Sequence, residues 1–363
     1  VRSAAAGFSP LDEELGLLPG ALTPPLQAHL CRLGARLSFA EAASELGQLK
    51  GVRVSAATAR RTEADGRVYA AWQEAEAAWV LAAAPPPPPG PAVQQVSVDG
   101  AMAPLIDGSW REVRTLAIGT VLPGRAAGSV RCGERSYFSR LADAATFTDL
   151  AAGEVHRRGV ETAGVVAGVV DGAPWCQSFL DAHCPEAVRV LDFAHAAQRL
   201  SEVAEAVWGS GAQAAAWAAT QRAVLRDGDP EPVLAAIQAL PIAAGQATAR
   251  QVQAEVLGYL APRLEQMRYA RFRAQGLPIG SGLVESANKL VVEARLKGAG
   301  RRWAERHVTP MVALRGALCS ERWAEAWTMI AHGRRHPQAA ARVAPRPAAS
   351  AASVAVSPRR LAA

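Results

Sequence analysis

The chain has 363 residues, 50% of them hydrophobic, and a formal net charge of +6 from 39 Lys and Arg against 33 Asp and Glu. This length and apolar content exclude global disorder and allow two or three domains with at least one sizeable core. The basic excess favours a polyanionic partner. The five cysteines include no C-x-x-C pair, which argues against a zinc ribbon or a disulfide framework. Because charges or prolines interrupt every apolar stretch of about 18 residues, we expect a soluble, cytoplasmic protein without a membrane span.

The first predicted elements are two short helices within residues 38–68. Ser38 followed by Glu41 has the pattern of a capping box, and apolar residues at helical spacing come after it. A break near Gly51 leads to a second, basic helix that Ser55 can cap. Two short helices joined by a tight turn predict a DNA-binding helix-turn-helix, with an ordinary helical hairpin as the alternative. The predicted DNA contacts of this region are Arg53, Arg60 and Arg61.

A run of prolines from residue 85 to residue 89, followed by Gly90, marks the clearest domain boundary. Neither a helix nor a central strand can cross such a run, because proline lacks the backbone N–H and fixes φ. We therefore predict a helical N-terminal region over residues 1–84 and a linker over residues 85–92.

The order of elements after the linker predicts the fold class. Three strands are followed by helix, strand, helix, strand and helix, which is the order of the ribonuclease H-like fold. The prediction is an α/β catalytic core with a mixed five-stranded sheet covered by helices, whose first part spans residues 93–210. The predicted strands are 94–98, 113–122, 130–138, 165–170 and 187–191, and the predicted helices are about 144–156, 174–183 and 194–208.

The remaining chain divides by composition into three parts. Residues 211–275 are rich in alanine and glutamine and predict a helical insertion. Residues 276–332 contain the helix with Glu285 and further C-terminal helices. Residues 333–363 are mostly Ala, Pro, Arg and Ser and have too few large apolar residues for a core, so a disordered tail is expected.

Three carboxylates stand in apolar settings where a charge is costly unless a partner uses it. Asp99 and Asp171 each close a valine-rich predicted strand, and Glu285 opens a helix after a Gly-Ser turn. Taken singly, an Asp-Gly pair is more often a turn. Taken with the order of elements, the three acids predict a site for two Mg²⁺ or Mn²⁺ ions, because these ions prefer oxygen ligands and a pair of them can cleave a phosphodiester.

Two further side-chain groups accompany these acids. Asp192 and His195 form an Asp-x-x-His at the end of the fifth predicted strand, which reads either as a helix start or as a pair that positions substrate or transfers protons. Basic residues also cluster after Glu285, and Trp303 among them can stack on an unpaired base or serve as a buried anchor. The predicted DNA contacts of this segment are Lys289, Arg295, Lys297, Arg301, Arg302 and Trp303.

Several segments together resemble one family. They are VSVDGAMAPL, VRTLAIGTV, SYFSRLADAATF, VVDGAPWCQSFLDAHCPEAVRVLDFAHAAQRL and GSGLVESANKLVVEARLKGAGRRWAERHVTPMVALRGALCSERWAEAW. Over roughly residues 10–327 the chain resembles bacterial insertion-sequence transposases of the ISKra-four type, and the last segment is the most specific. Family members often carry a cysteine-bearing, zinc-ribbon-like segment before FSPLDEELGLLP, whereas this chain begins VRSAAAGFSP, so a truncated or degenerate N-terminus is expected.

The resemblance implies a DDE transposase with a ribonuclease H-like core and Asp99, Asp171 and Glu285 as its catalytic triad, with Asp192 competing for the second position. The implied partners are terminal inverted repeats and target DNA, bound by a homo-oligomer in the bacterial nucleoid. The implied reaction is metal-dependent strand cleavage and strand transfer. A structure-specific nuclease and a catalytically inactive DNA-binding remnant are the alternatives. A glycosidase also uses paired carboxylates, but the basic surroundings of Glu285 argue against it.

Overall fold

The structure is a computed structural model that describes residue 18 and residues 22–126 and 129–336. Helices come first, a sheet with crossing helices follows, and further helices complete the described chain. The N-terminal helices are α1 (Pro24–Arg36), α2 (Phe39–Lys50), α3 (Ala56–Ala59) and α4 (Thr62–Ala83). The sheet region consists of β1 (Val93–Pro104), β2 (Trp110–Pro123), β3 (Val130–Arg140), α5 (Ala144–Arg157), β4 (Val165–Val170), α6 (Pro174–His183), β5 (Val188–Leu191) and α7 (Phe193–Trp208).

The sheet region also contains a short 3₁₀ helix (Val160–Thr162), and ten further helical segments follow α7 in the described chain. The predicted insertion is helical, as the composition indicates. It contains α8 (Ala212–Asp227), α9 (Glu231–Gln238), α10 (Ala247–Leu260), a 3₁₀ helix (Ala261–Met267) and α11 (Tyr269–Ala274). The C-terminal part contains α12 (Gly282–Ala287), a π-helix (Asn288–Glu293), α13 (Ala294–Leu296), α14 (Glu305–Cys319) and α15 (Trp323–Arg335).

The sheet has five strands in the order β3-β2-β1-β4-β5. The β1–β2 and β2–β3 pairs are antiparallel, whereas β1–β4 and β4–β5 are parallel. The predicted α/β architecture with a mixed five-stranded sheet and covering helices is therefore confirmed. All five cysteines carry free thiols, as their spacing predicts. In the described ranges, no helix is both long enough and apolar enough to cross a bilayer.

Strand β1 is longer than predicted, and this changes the setting of the first acid. It continues past Asp99 to Pro104, and Gly100 pairs with Arg114 of β2. The prediction that Asp99 ends its strand is therefore wrong, and so is the alternative of a turn at Asp99-Gly100. A turn does follow β4, where Gly172 has the left-handed φ of +81° that glycine adopts most readily.

The two faces of the sheet pack against different helices. On one face Val96 and Val98 of β1 share a core with Phe147 of α5. On the other face Ala167 and Val169 of β4 pack with α7 and the helical insertion. Because successive side chains of a strand point to opposite faces, each acid is assigned to a face by its position along the strand.

Asp99 shares its face of β1 with Gln95 and Ser97, whose side chains are hydrogen bonded to each other at 3.0 Å. Gln95 Nε2 also donates to the carbonyl of Gly280 at 3.2 Å. The segment that leads into the helix of Glu285 therefore lies against the face of the sheet that carries Asp99.

The predicted second helix of the helix-turn-helix is divided in two. Ser38 and Glu41 form the capping box, and Ser55 accepts a hydrogen bond from the N–H of Thr58, as predicted. The helix that Ser55 opens has only four residues and ends at Ala59, Arg60 and Arg61 follow it, and α4 begins at Thr62. The two arginines therefore lie at a junction between helices, and the prediction that they share one recognition helix is wrong.

Helix α4 packs in the interior instead of projecting as a recognition helix. Tyr69 and Ala70 share a core with Leu314 of α14. The fully buried Asp65 accepts hydrogen bonds from Gln27 of α1 and Arg334 of α15. These contacts join the N-terminal helices to the C-terminal helices.

The structure describes the predicted linker but only the first residues of the predicted tail. Residues 85–92 belong to no helix or strand, and Gly90 N donates to Thr162 Oγ1 at 2.8 Å beside the sheet. No helix or strand therefore crosses the prolines, as the sequence predicts, and the predicted domain boundary stays a prediction. Helix α15 continues to Arg335, and the rest of the predicted disordered tail, from residue 337, lies outside the described residues. Residues 1–17, where the sequence predicts a truncated or degenerate N-terminus, also lie outside the described residues.

The helix that carries Glu285 changes its winding directly after α12, where the π-helix begins. A π-helix places more residues in each turn than an α-helix, so the positions that face the core shift along the chain. Regular spacing predicts Leu290 and Ala294 in the core, but both are exposed, Leu290 by 44%. Val292 and Leu296 are fully buried in their place. The prediction of these two core residues is therefore wrong.

This shift can be tested by changing to alanine one leucine that it buries and one that it exposes. We expect Leu296→Ala to lower the free energy of unfolding by about 2–5 kcal/mol, because it leaves a cavity in the core. Leu290→Ala should change it by no more than about 0.5 kcal/mol, because the residue is 44% exposed and its truncation leaves no closed cavity. Denaturant unfolding of both variants measures the difference. Equal losses would contradict the shifted register.

Candidate active site

Asp99 and Asp171 lie at the same level on two adjacent parallel strands. Val96 of β1 pairs with Gly168 of β4, and each aspartate lies three residues beyond that pair. The carboxyl ends of parallel strands commonly border the ligand crevice of an open α/β sheet. The fold therefore brings together two acids that are 72 positions apart in the sequence.

Asp192 extends this row of acids onto a third strand. Leu191 of β5 pairs with Val170 of β4, and the N–H of Asp192 donates to the carbonyl of Val170 at 2.8 Å. Asp192 therefore follows β5 at the level at which Asp171 follows β4. The structure places all three aspartates at one level, where the parallel pairing of β1, β4 and β5 ends.

Asp99 is held by two hydrogen bonds and influenced by its neighbour. Its Oδ1 accepts the N–H of Gly100 at 2.7 Å, and its Oδ2 accepts Nδ2 of Asn288 at 2.9 Å. Burial raises the pKa of Asp99, and the negative charge of Asp171 raises it further. Two carboxylates that repel each other in a partly buried site form a place where a cation is favoured.

Asp171 keeps one carboxylate oxygen available. Its Oδ1 accepts the N–H of Ala173 at 2.9 Å and lies 3.4 Å from the thiol of Cys176. Among the described residues, no donor forms a hydrogen bond with Asp171 Oδ2. The local turn thus fixes the direction of the carboxylate and leaves its second oxygen free for a ligand.

Asp192 differs from Asp171 because protein donors occupy both of its oxygens. The residue is 1% exposed. Its Oδ1 accepts a hydrogen bond from the N–H of Ser281 at 2.7 Å. Its Oδ2 accepts one from the backbone N–H of His195 at 2.9 Å and one from Nδ1 of the same residue at 2.7 Å. Burial is the largest single influence and raises its pKa, but the hydrogen bonds from His195 and Ser281 outweigh it, so the pKa of Asp192 is lowered. Asp192 therefore acts as the cap of α7 and as a structural acceptor, which favours Asp171 as the acid that binds a ligand.

His195 lies close enough to the acids for the charges of Asp171 and Asp99 to act on its imidazole. The hydrogen bond to Asp192 raises the pKa of His195, and the charges of Asp171 and Asp99 add to this effect. Its side chain remains 42% exposed. The site therefore contains a histidine that is cationic over a wider pH range than a free imidazole and that solvent or substrate can reach.

Glu285 is placed beside this row but is not part of it. Its exposed carboxylate accepts a hydrogen bond from Ser281 Oγ at 2.8 Å. Within the described part of the chain, no group of three His, Cys, Asp or Glu side chains is arranged to hold one metal ion. The structure thus brings Asp99 and Asp171 together, and it leaves Glu285 nearby on a helix that is tied to both Asp99 and Asp192.

Asn288 was not among the predicted site residues, although its spacing from Glu285 places both on one helical face. Its side chain is 6% exposed and donates to Asp99. Its Oδ1 is buried without a hydrogen-bond partner among the described residues. A buried, unpaired acceptor beside a carboxylate is costly unless a cation or a donor satisfies it. Asn288 therefore belongs to the site.

Two predicted DNA contacts lie in the interior. Arg295 is 2% exposed, and burial lowers its pKa to about 10. Its guanidinium lies 4.9 Å from the ring centre of Phe39 and 4.8 Å from the ring centre of Trp303. Trp303 is 7% exposed and donates its Nε1–H to the carbonyl of Leu296 at 3.3 Å. The prediction that these two residues contact DNA is wrong, because each is a packed anchor within the protein.

The other predicted DNA contacts remain at or near the surface. Arg301 is half-buried and donates to the carbonyl of Arg295, and Lys297 forms an ion pair with Glu293 at 2.7 Å. The exposed members of the predicted set are Arg53, Arg60, Arg61, Lys289, Lys297 and Arg302.

Comparison with known proteins adds no assignment. The chain matches no protein-family model, and no curated protein shows a significant match to it. The geometry and chemistry of the site therefore carry the functional argument.

The pair of Asp192 and His195 predicts a pH-dependent stability. The pKa of His195 is higher in the folded protein than in the unfolded chain, so protonation of His195 stabilises the folded state. This stabilisation is complete at pH values below the pKa in the unfolded chain, and it is lost as the pH rises through the pKa in the folded protein. We therefore expect His195→Gln to lower the melting temperature most near about pH 5.5 and least near about pH 8.5, where imidazole is neutral. Because the histidine is partly exposed, the loss should be about 1 kcal/mol or less.

Thermal melting across this pH range measures the effect. The exposed His29 provides the control, and His29→Gln should leave the curve unchanged. A destabilisation by His195→Gln that grows towards high pH would contradict the assigned ion pair.

Proposed function

We propose that the protein is a DDE transposase that cleaves DNA at insertion-sequence ends and joins the freed 3′ hydroxyl to target DNA. The observation that carries this proposal is the pair of Asp99 and Asp171 on adjacent parallel strands, with the helix of Glu285 hydrogen bonded to Asp99 through Asn288. The strand order and directions are those expected of a ribonuclease H-like core, which supports the same proposal.

The chemistry of the donors suits Mg²⁺ or Mn²⁺. The available groups are the carboxylates of Asp99 and Asp171, whose mutual repulsion a cation would relieve, and the unpaired Oδ1 of Asn288. Asp99 and Asp171 would hold the two ions, and Glu285 would complete the set of ligands. When bound, the ions would activate the attacking oxygen and stabilise the leaving oxygen of the phosphodiester.

The side chains around the acids would hold the carboxylates in position and would bind or protonate oxygens of the substrate. Asn288 fixes Asp99 Oδ2, and the N–H of Ala173 fixes Asp171 Oδ1. Asp192 orients His195 through Nδ1, so that the opposite nitrogen can bind a phosphate oxygen or donate a proton to a leaving oxygen. In this proposal Asp192 is a positioning residue and Asp171 is the second catalytic acid.

Glu285 would join the site by rotating its side chain. It is exposed, and the hydroxyl of Ser281 is its recorded hydrogen-bond donor. One such hydrogen bond stabilises a conformation by only about 0.5–1.5 kcal/mol, which binding of a divalent ion readily outweighs. In this proposal the enzyme completes its site when metal and DNA bind.

A structure-specific nuclease would use the same acids, and the formation of a joined product distinguishes it from a transposase. A remnant without catalytic activity would need neither the aligned carboxylates nor the buried Asn288. The alignment of Asp99 with Asp171 therefore favours an active enzyme over a DNA-binding remnant.

The first functional test replaces each acid separately. Asp99→Asn, Asp171→Asn and Glu285→Gln should each reduce Mg²⁺-dependent cleavage of DNA carrying the element ends by more than about 100-fold, which exceeds the usual effect of changing a residue behind a metal ligand. Asp192→Asn should lower the melting temperature and retain measurable cleavage, because it weakens internal hydrogen bonds. Loss of cleavage in Asp192→Asn with retention in Asp171→Asn would reverse the assignment of the second acid.

The second functional test separates an exposed arginine from a buried one. Arg302→Ala should reduce the salt dependence of DNA binding by about one phosphate contact and leave the melting temperature unchanged. Arg295→Ala should lower stability by about 2 kcal/mol or more, because it removes a desolvated cation that lies against two aromatic rings. DNA binding at several salt concentrations and thermal melting give both quantities. A large loss of stability in Arg302→Ala with an unchanged salt slope would remove Arg302 from the DNA surface.

A further inference from the structure

Two side chains of the helical insertion hold the loop that carries Asp171. The hydroxyl of Tyr259, on α10, donates to the backbone carbonyl of Asp171. Arg263, in the 3₁₀ helix that follows, donates through Nη2 to the carbonyl of Gly172 at 2.8 Å. Both carbonyls lie just past the end of β4, where the strand no longer provides regular partners.

The two side chains also support each other. The guanidinium of Arg263 lies 4.5 Å from the ring centre of Tyr259, and its Nη1 donates to the backbone carbonyl of the same tyrosine. Arg199 of α7 lies 4.7 Å from the same ring. An aromatic ring with two guanidinium groups against it and a hydrogen-bonded hydroxyl has little freedom to move. Burial raises the pKa of Tyr259, so the hydroxyl remains a donor.

The fit around the loop is close. A β-carbon at Gly172 would lie 2.7 Å from Arg263 Nε and 3.0 Å from the hydroxyl of Tyr259. Gly172 also has the left-handed φ of +81° that lets Ala173 turn back and donate to Asp171 Oδ1. The direction of the Asp171 carboxylate therefore depends on a turn whose two carbonyls are bonded by the insertion.

We propose that Tyr259 and Arg263 are positioning residues for Asp171, so that the helical insertion forms part of the metal-binding site. This inference rests on the proposed function, because it assigns Asp171 as a metal ligand. The insertion then has a role beyond contributing apolar surface. It sets the separation and direction of the second acid relative to Asp99.

The test uses the full chain and three variants. Tyr259→Phe removes the hydroxyl that bonds Asp171, and Arg263→Lys keeps the charge but cannot reproduce the paired hydrogen bonds. Tyr269→Phe is the matched control, because the buried Tyr269 donates its hydroxyl to the carbonyl of Leu191 at 2.8 Å, at the end of the neighbouring strand. The control removes the same kind of hydrogen bond without touching the Asp171 loop.

Three readouts are measured for each variant. The first is the affinity for Mn²⁺ without DNA, measured by electron paramagnetic resonance of the free ion. The second is the rate of amide hydrogen exchange in the segment from residue 172 to residue 176. The third is the Mg²⁺ concentration that gives half-maximal DNA cleavage. We expect Tyr259→Phe and Arg263→Lys to weaken Mn²⁺ binding about 10–100-fold, as changes behind metal ligands usually do. They should also speed exchange in the loop and raise the Mg²⁺ requirement. Tyr269→Phe should leave all three readouts at the wild-type values.

The outcomes separate this inference from the proposed function. Wild-type Mn²⁺ affinity and loop exchange in Tyr259→Phe and Arg263→Lys would overturn the positioning role while leaving DNA cleavage intact. Equal changes in Tyr259→Phe and Tyr269→Phe would also overturn it, because they would show a general loss of packing. If the wild-type protein binds Mn²⁺ but cleaves no DNA, the transposase proposal fails, and the Mn²⁺ and exchange readouts still decide the role of Tyr259 and Arg263.

Discussion

The repulsion between Asp99 and Asp171 is the interaction on which the rest of the site depends. The parallel register of β1 and β4 places both carboxylates at one level, and partial burial prevents water from screening them fully. A protein that only needed stability would not align two acids in this way. The surrounding hydrogen bonds from Asn288 and Ala173 hold the carboxylates in place without neutralising them. This arrangement supports the proposal that the pair binds a divalent cation.

Asp192 links the elements that surround this pair. Its two oxygens join the end of β5 to the first turn of α7 through His195 and to the segment before α12 through the N–H of Ser281. Ser281 in turn donates its hydroxyl to Glu285. A change at Asp192 would therefore disturb a histidine and a glutamate together, although Asp192 itself is buried. A loss of the proposed activity on changing Asp192 would therefore not require that Asp192 bind metal.

The sequence predicts those features that depend on local pattern. The valine run of β4 and the proline that starts α6 define both elements to the residue, because burial and helix initiation are local. The sequence does not reveal the π-helix after Asn288, because winding depends on packing. Arg295 and Trp303 look like a basic, aromatic DNA surface in the linear sequence and become a buried stack in the fold. Tyr259 lies 88 positions from Asp171, so no local pattern connects them.

The three acids of the proposed triad differ in how firmly the protein holds them. Asp99 lies inside a paired strand, and Asp171 is fixed by a turn that the insertion supports, so their positions are set by the fold. Glu285 is exposed at the start of a helix, held by a serine hydroxyl, and followed by a π-helix. π-helical turns are rare and recur at functional sites, so we propose that the segment after Glu285 adjusts when a ligand binds. Two fixed acids and one adjustable acid would allow metal to bind first and the complete site to form only when DNA arrives.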